Sequence, residues 1–284
     1  MLDLFTNLGG ETLAIIGIPK AQHMFSISNA RDKLLRNDLI IPVVRAVSSV
    51  IYLGPWRSQV AGLMAKVHKS RKVPVQSPSA VSEIDMSACS ERLLRTGFSG
   101  VFRFSQESIE AVIADIPANF SGREHNLHRT SEAFRRIVYD PVVISLVTEY
   151  LGVAPFVFQS ELTSYNRQGG KQLDPGQTCR KMFHYDVSDF RSLTLFVYLN
   201  DIEPDGGAHV VIPATHRSLS LSKYGSRFLS YEDACSRYGE DRMVKITGRK
   251  GTAFLEDLVN WHKRSLTNRG RYCLSVTYNI NRTN

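Results

Sequence analysis

Residues 193–199 read Leu-Thr-Leu-Phe-Val-Tyr-Leu, a seven-residue apolar run of the kind that forms a buried strand. Similar runs follow Phe156, separated by turn signals such as Pro204-Asp205-Gly206-Gly207. The other predicted strands are 156–158, 209–212, 251–255 and 272–278. Short strands joined by Gly, Pro and Asp turns predict a mainly β fold, a sandwich or barrel of the jelly-roll kind.

Helix signals flank these strands on their N-terminal side. Ser105 precedes an acidic first turn and predicts an N-cap for a helix over 109–116. Asp140-Pro141 predicts the start of a second helix over 142–150, which Gly152 ends. The strands are therefore expected to carry flanking helices.

The positive charge of the chain is concentrated at its N-terminal end. Ten Lys/Arg against four Asp/Glu give residues 1–73 a charge of +6, whereas the remaining residues have 25 against 23, or +2. Residues 11–73 have mixed three- and four-residue apolar spacing, and 73–82 are rich in Pro and Ser. We predict a basic, helical N-terminal extension with a linker over 1–82, followed by one mainly β domain over 83–284.

Composition bears on the redox compartment, on membrane spanning and on nucleic-acid binding. The four cysteines lie far apart without a Cys-x-x-Cys pair, which favours reduced thiols and a cytoplasmic location. The most apolar stretch, 39–53, is too short to span a bilayer. The basic segment lacks an aromatic stacking platform, so no nucleic-acid partner is expected. Weak peripheral contact with an acidic membrane surface stays open.

The candidate metal ligands are in His184-Tyr185-Asp186 and at His262, and a candidate carboxylate anchor follows at Arg271. Side chains two apart on an extended segment point to the same side, so His184 and Asp186 can reach one ion together. Two imidazoles and one carboxylate form the facial triad that holds Fe(II) and leaves three positions open. A guanidinium such as Arg271 can grip a dicarboxylate in two places.

The His-x-Asp triplet alone has an ordinary alternative, a surface histidine beside an unrelated aspartate. Its setting favours a site, because a seven-residue apolar strand follows it and His262 stands between two predicted strands. His209 and His216 are expected to pack or form hydrogen bonds near the site without binding metal, since buried histidines usually have such roles.

Residues 92–280 resemble the phytanoyl-CoA dioxygenase-like family of Fe(II)/2-oxoglutarate-dependent oxygenases. Several blocks occur in the family's order, although Phe183 replaces its usual tryptophan and Ala214-Thr215 its Gly-Ser. The blocks are Leu93–Ile109, Asp140–Gly152, Phe183–Asp186, Asp205–His216, Gly251–His262 and Arg271–Ser275. The resemblance implies a double-stranded β-helix core, cupin-like in architecture.

The resemblance also implies roles for individual residues. It makes His184, Asp186 and His262 the iron ligands and Arg271 the anchor for the distal carboxylate of 2-oxoglutarate. Arg269 is a rival anchor, but it lies in the turn and Arg271 directly precedes the last strand. Phe196 and Thr194 would lie near the co-substrate on one strand face.

The expected function is a dioxygenase that uses Fe(II), 2-oxoglutarate and molecular oxygen to hydroxylate an unactivated C–H bond. Its expected partner is a small metabolite or natural-product intermediate, anionic or carrier-linked. Desaturation, ring formation and epimerisation stay open as outcomes of the same oxidation. The alternative is a non-oxidative or non-catalytic jelly-roll, a binding protein or isomerase with a basic docking segment.

Overall fold

The computed structural model describes residues 56–120, 122–165, 182–217, 227–265 and 270–282. Its helices are α1 Arg57–Val67, α2 Met86–Thr96, α3 Gln106–Ala114, α4 Glu132–Val138, α5 Pro141–Leu151 and α6 Tyr231–Tyr238. Its strands are β1 Val81–Glu83, β2 Phe98–Phe104, β3 Arg123–His125, β4 Phe156–Tyr165, β5 Phe183–His184, β6 Ser192–Tyr198, β7 His209–Ile212, β8 Phe228–Leu229, β9 Val244–Ile246, β10 Thr252–Glu256, β11 Trp261–Arg264 and β12 Arg271–Asn279.

The strands form two antiparallel sheets. The larger has seven strands in the order β1-β2-β10-β6-β12-β4-β3, and the smaller has five in the order β8-β5-β11-β7-β9. Every strand pair within them is antiparallel. The prediction of a mainly β jelly-roll with flanking helices is confirmed.

The two faces of β6 show why the large sheet has helices on one side and a site on the other. Leu193, Leu195 and Val197 are fully buried in the same apolar cluster as residues of α2 to α5. Burying a leucine or valine side chain stabilises a fold by roughly 1.5–3 kcal/mol. The alternate residues, Thr194 and Phe196, face the opposite way, toward the small sheet.

The caps predicted from sequence set the helix positions. The Ser105 side chain accepts a hydrogen bond from the Ser108 amide and begins α3. Asp140 accepts from the amides of Val142 and Val143 at the start of α5, and Gly152 ends that helix in the left-handed conformation. Those predictions are confirmed to within three residues.

The described part of the N-terminal segment lies against the core. Ala61 of α1 is fully buried in the cluster of the large sheet, and Arg71 donates hydrogen bonds to the carbonyls of Ala154 and Ile280. Predicted helices before residue 56 lie outside the described residues. The boundary after residue 82 stays a prediction. Among the described helices, none has the length and apolar character that crossing a membrane requires.

Candidate metal centre

The pairing of β5 with β11 brings two histidines together. His184 lies directly opposite His262 in the antiparallel register, and their ring centroids are 4.3 Å apart. Residues directly opposite each other project from the same face of a sheet. Strand pairing therefore brings together two histidines that are 78 positions apart in the chain.

Asp186 completes the group just beyond β5. Its amide donates to the carbonyl of Leu258 (2.8 Å), and its Oδ2 lies 3.7 Å from Nε2 of His184 and 3.6 Å from Nε2 of His262. One ligand atom from each of the three residues lies within 4.8 Å of the others. The structure thus brings the three predicted ligands together at a spacing that fits one metal ion.

The hydrogen bonds of His262 select its metal-binding tautomer. Nδ1 of His262 lies 3.0 Å from the carbonyl of Asn260, to which it donates its proton. Nε2 then has its lone pair toward Asp186. A carbonyl partner of this kind orients metal-binding histidines and makes them more basic. Burial, and then the neighbouring His262, lower the pKa of His184 to about 3, so the His184 imidazole is available in the neutral form that binds metals.

Arg227 holds the other oxygen of Asp186. Its Nη2 contacts Oδ1 of Asp186, and its Nε donates to the carbonyl of Tyr185 (3.1 Å). Burial opposes ionisation of Asp186, but His262, His184 and Arg227 together hold its pKa below the ordinary value. The Asp186 carboxylate is therefore charged, with Oδ2 directed to the histidines and Oδ1 to Arg227.

A buried polar pair lies behind the histidines. Nε2 of His209 is 2.7 Å from Oε2 of Glu256, and the His209 ring stacks on that of His262 with centroids 5.4 Å apart. Burial raises the pKa of Glu256, with Asp257 and Asp186 adding to the effect. Burial beside His262 lowers the pKa of His209. Both directions agree with an O–H···N bond between neutral partners, in which Glu256 donates.

Arg271 lies inside the barrel at the start of β12. It is 4% exposed, donates to the carbonyl of Gly207 (2.8 Å), and its guanidinium carbon lies 5.2 Å from the ring centroid of Tyr198. It also depresses the pKa of His209, which places its charge near the pair behind the metal ligands. A buried guanidinium in this position fits the distal carboxylate of a dicarboxylate.

The two remaining predicted residues line the same interior. Phe196 stacks on Phe254, with centroids 5.0 Å apart, and is 4.9 Å from the His209 ring. Thr194 lies directly opposite Glu256, and its hydroxyl is 3.1 Å from that of Thr277. Thr194 therefore faces Glu256 and the hydroxyl of Thr277. Arg269, the rival anchor, lies outside the described residues.

Sequence reasoning missed Arg227, Asn260 and the Glu256 partner of His209. Arg227 lies 41 positions from Asp186, and the Asn260 backbone acts through its carbonyl, so neither has a motif that reveals it. Glu256 offered a signal, because an acidic residue directly after the apolar run Thr252–Leu255, at the end of a buried strand, is expected to have a buried partner. His216 forms a hydrogen bond with Asn260 as expected.

A jelly-roll with a two-histidine, one-carboxylate centre between its sheets has the architecture and ligand set of mononuclear non-haem metal proteins. The sequence comparison is more specific. The family model described as phytanoyl-CoA dioxygenase (PhyH) matches residues 97–271. The chain belongs to this family, as the resemblance predicted.

Solved structures share the fold at low sequence identity. The epimerase SnoN, in complex with Fe3+, alpha ketoglutarate and nogalamycin RO, is 16% identical with a TM-score of 0.54, over 68% of this chain and 82% of SnoN. EctD from S. alaskensis, with 2-oxoglutarate and 5-hydroxyectoine, is 20% identical with a TM-score of 0.50, over 74% of this chain and 83% of EctD. The carbocyclase SnoK is 13% identical with a TM-score of 0.50, over 72% and 87%. No curated protein sequence matches the chain.

Proposed function

We propose that this protein is an Fe(II)- and 2-oxoglutarate-dependent dioxygenase that hydroxylates an unactivated C–H bond of a small metabolite. The observation that carries the proposal is the triad of His184, Asp186 and His262, whose ligand atoms lie within 4.8 Å of one another. Family membership and the cofactors in the structures of EctD and SnoN support the same assignment.

The residues fit an iron ion and its co-substrate. Nε2 of His184, Oδ2 of Asp186 and Nε2 of His262 would hold the metal, and Arg271 would pair with the distal carboxylate of 2-oxoglutarate. Iron bound there supplies the oxidising chemistry, with oxygen as oxidant and 2-oxoglutarate as co-reductant. The protein supplies geometry and a dry pocket. Phe196 would form an apolar wall for the co-substrate, and Thr194 offers a hydroxyl on the same face.

We infer that the substrate is a small molecule with an anionic group or carrier. Arg227 supports this inference, because it places a cation beside Asp186 while 48% of its side chain stays exposed. We further propose that the protein works in the cytoplasm. The thiols of Cys89, Cys235 and Cys273 are free, which is typical of reducing compartments.

Reaction outcome is a separate question from metal chemistry, since SnoN is named an epimerase and SnoK a carbocyclase. Hydroxylation predicts one oxygen atom from O2 in the organic product. An epimerised or ring-closed product without that atom would contradict hydroxylation and leave the dioxygenase-type centre in place. A protein that binds ligands without consuming 2-oxoglutarate would instead be the non-oxidative jelly-roll.

An anaerobic titration tests the proposal. Fe(II) and 2-oxoglutarate should together produce a weak visible charge-transfer band, and oxygen should then yield succinate. His184→Ala and Asp186→Ala should lose both signals. His125→Ala is the matched control, because the side chain of His125 is 46% exposed on β3, and it should keep both. Loss of the band in the control, or its survival in both ligand variants, would contradict the triad.

A further inference from the structure

The loop between β10 and β11, residues 257–260, contacts two of the three triad residues, Asp186 and His262. The carbonyl of Leu258 accepts from the Asp186 amide (2.8 Å), and that of Asn260 accepts from Nδ1 of His262 (3.0 Å). One short loop therefore sets the backbone position of one ligand and the ring orientation of another. Whatever holds this loop also influences the spacing of the ligand atoms.

Asp257 holds the loop from its first residue. One carboxylate oxygen, Oδ1, accepts from the Val259 amide within the loop (3.0 Å). The other, Oδ2, accepts from the Tyr150 hydroxyl at the end of α5 (2.7 Å). The Asp257 amide donates to the carbonyl of Gly97 (2.8 Å). Asp257 is 1% exposed, so its charge depends on these partners and on a cation.

That cation comes from the N-terminal segment. Nη2 of Arg57, the first residue of α1, lies 3.3 Å from Oδ2 of Asp257, and the two side chains are 11% and 1% exposed. Burial opposes ionisation of Asp257, but Arg57, followed by His216, holds its pKa below the ordinary value. The ion pair joins positions 200 residues apart, across the predicted boundary after residue 82.

A close approach on the other side of the loop leaves it little room to shift. Asn260 Nδ2 donates to the carbonyls of Thr96 and Gly97. A Cβ on Gly97 would lie 2.8 Å from Nδ1 of His216 and 2.9 Å from Nδ2 of Asn260. The loop is thus packed between the end of α2 and the Arg57–Asp257 pair.

We propose that Arg57 is a positioning residue for the metal centre: its ion pair with Asp257 fixes the loop 257–260, and through it Asp186 and His262. The N-terminal segment, which the sequence assigns to a separate extension, then contributes to the geometry of the site. The inference rests on the proposed function in treating the triad as an iron site.

The test measures Fe(II) affinity of the full chain under anaerobic conditions, with the metal alone as probe, together with thermal stability. Arg57→Gln should weaken Fe(II) binding by ~10-fold, as loss of outer-shell support does elsewhere. The matched control is Arg71→Gln. Arg71 also ties the N-terminal segment to the core, through the carbonyls of Ala154 and Ile280, but does not touch the loop.

We expect Arg71→Gln to lower the melting temperature and leave Fe(II) affinity unchanged. Arg57→Lys, which keeps the charge, should recover part of the affinity. Wild-type affinity in Arg57→Gln, or equal losses in both Gln variants, would overturn the role of Arg57. Should Arg57→Gln not fold, Arg57→Lys, which loses the planar fork, should still bind Fe(II) more weakly than Arg71→Lys, and equal affinities of the two Lys variants would overturn the role of Arg57. A wild-type chain that binds no Fe(II) would instead contradict the proposed function, and this inference with it.

Discussion

The metal centre has two unlike sides. On the inner side, His262 is 5% exposed, lies between strand partners on β5 and β7, and has its Nδ1 fixed by a backbone carbonyl. On the outer side, the side chains of Asp186 and Arg227 are 37% and 48% exposed. The inner side is rigid because sheet and core both hold it. We expect ligands to enter and leave from the outer side, because its side chains are partly exposed.

The largest effects should come from removing one ligand on each side. His262→Ala and Asp186→Ala should both lower succinate formation to background, because each takes one of three ligands from the iron. Their stabilities should differ. His262→Ala opens a cavity beside His209 and should destabilise the fold by ~2 kcal/mol or more, whereas Asp186→Ala removes a partly exposed pair of small value.

Activity assays and urea denaturation on the two variants check this difference. Equal destabilisation by both would show that the inner and outer sides are held alike. Retention of activity by either one would remove that residue from the set of ligands.

The next largest effect is expected at Arg271, which is buried inside the barrel at the start of β12. Arg271→Lys keeps the charge but loses the planar fork, so the KM for 2-oxoglutarate should rise by roughly 10-fold or more. Fe(II) affinity without co-substrate should be unchanged, since Arg271 donates to the Gly207 carbonyl and to the Cys273 sulfur and is not one of the three ligands. Steady-state kinetics and a metal titration separate the two quantities. An unchanged KM would point to another anchor, with Arg269 as the first to test.

The pair behind His262 should contribute to stability. Glu256→Leu leaves Nε2 of His209 buried without its partner and should cost ~1–3 kcal/mol of unfolding free energy. Glu256→Gln keeps a hydrogen bond at the same distance and should cost less. Chemical denaturation of both variants measures the difference. If Leu were tolerated as well as Gln, the pair would not support the inner side.

A buried imidazole outside the site should also make the stability of the fold sensitive to acid. His128, 7% exposed and 2.7 Å from the Ser160 hydroxyl, has a pKa lowered to about 4 by burial, then Arg129 and Arg135. Its unfolded form takes up a proton near pH 6.5, so the unfolded state binds more protons between these values. Stability from His128 is therefore fully present above pH 6.5 and falls as the pH drops toward 4.

The measurement compares wild type with His128→Asn, which does not titrate, in denaturation curves from pH 8 to about 4. The wild-type chain should lose stability relative to the variant only on the acid side of pH 6.5. A difference between the two that stays constant over the whole range would contradict a depressed pKa for His128.

The smallest effect is expected on the outer side. Arg227→Gln should change the free energy of unfolding by less than ~1 kcal/mol, because exposed ion pairs are screened by solvent. The same substitution should clearly lower the turnover rate of an anionic substrate, although it leaves stability nearly unchanged. A large loss of stability would mean that the outer side is as firmly held as the inner one.

The fold was largely accessible from sequence because its signals are local. Two kinds of signal act over only a few residues: the helix caps at Ser105 and Asp140, and the apolar runs of β6 and β12. Each of them predicted an element that the structure has. That His184 and His262 reach one metal ion was inferred from chain order and family resemblance, and their direct pairing was not predicted, since strand register is a long-range property. Arg227, Asn260 and Arg57 were missed for the same reason: each meets its partner only after the chain has folded.

Anomalous diffraction at the iron edge, from crystals grown with Fe(II) and 2-oxoglutarate without oxygen, tests the metal centre most directly. We expect one iron peak at coordination distance from Nε2 of His184, Oδ2 of Asp186 and Nε2 of His262, with the distal carboxylate of 2-oxoglutarate on Arg271. An iron peak away from these three atoms, or crystals that bind neither iron nor 2-oxoglutarate, would contradict the proposed dioxygenase.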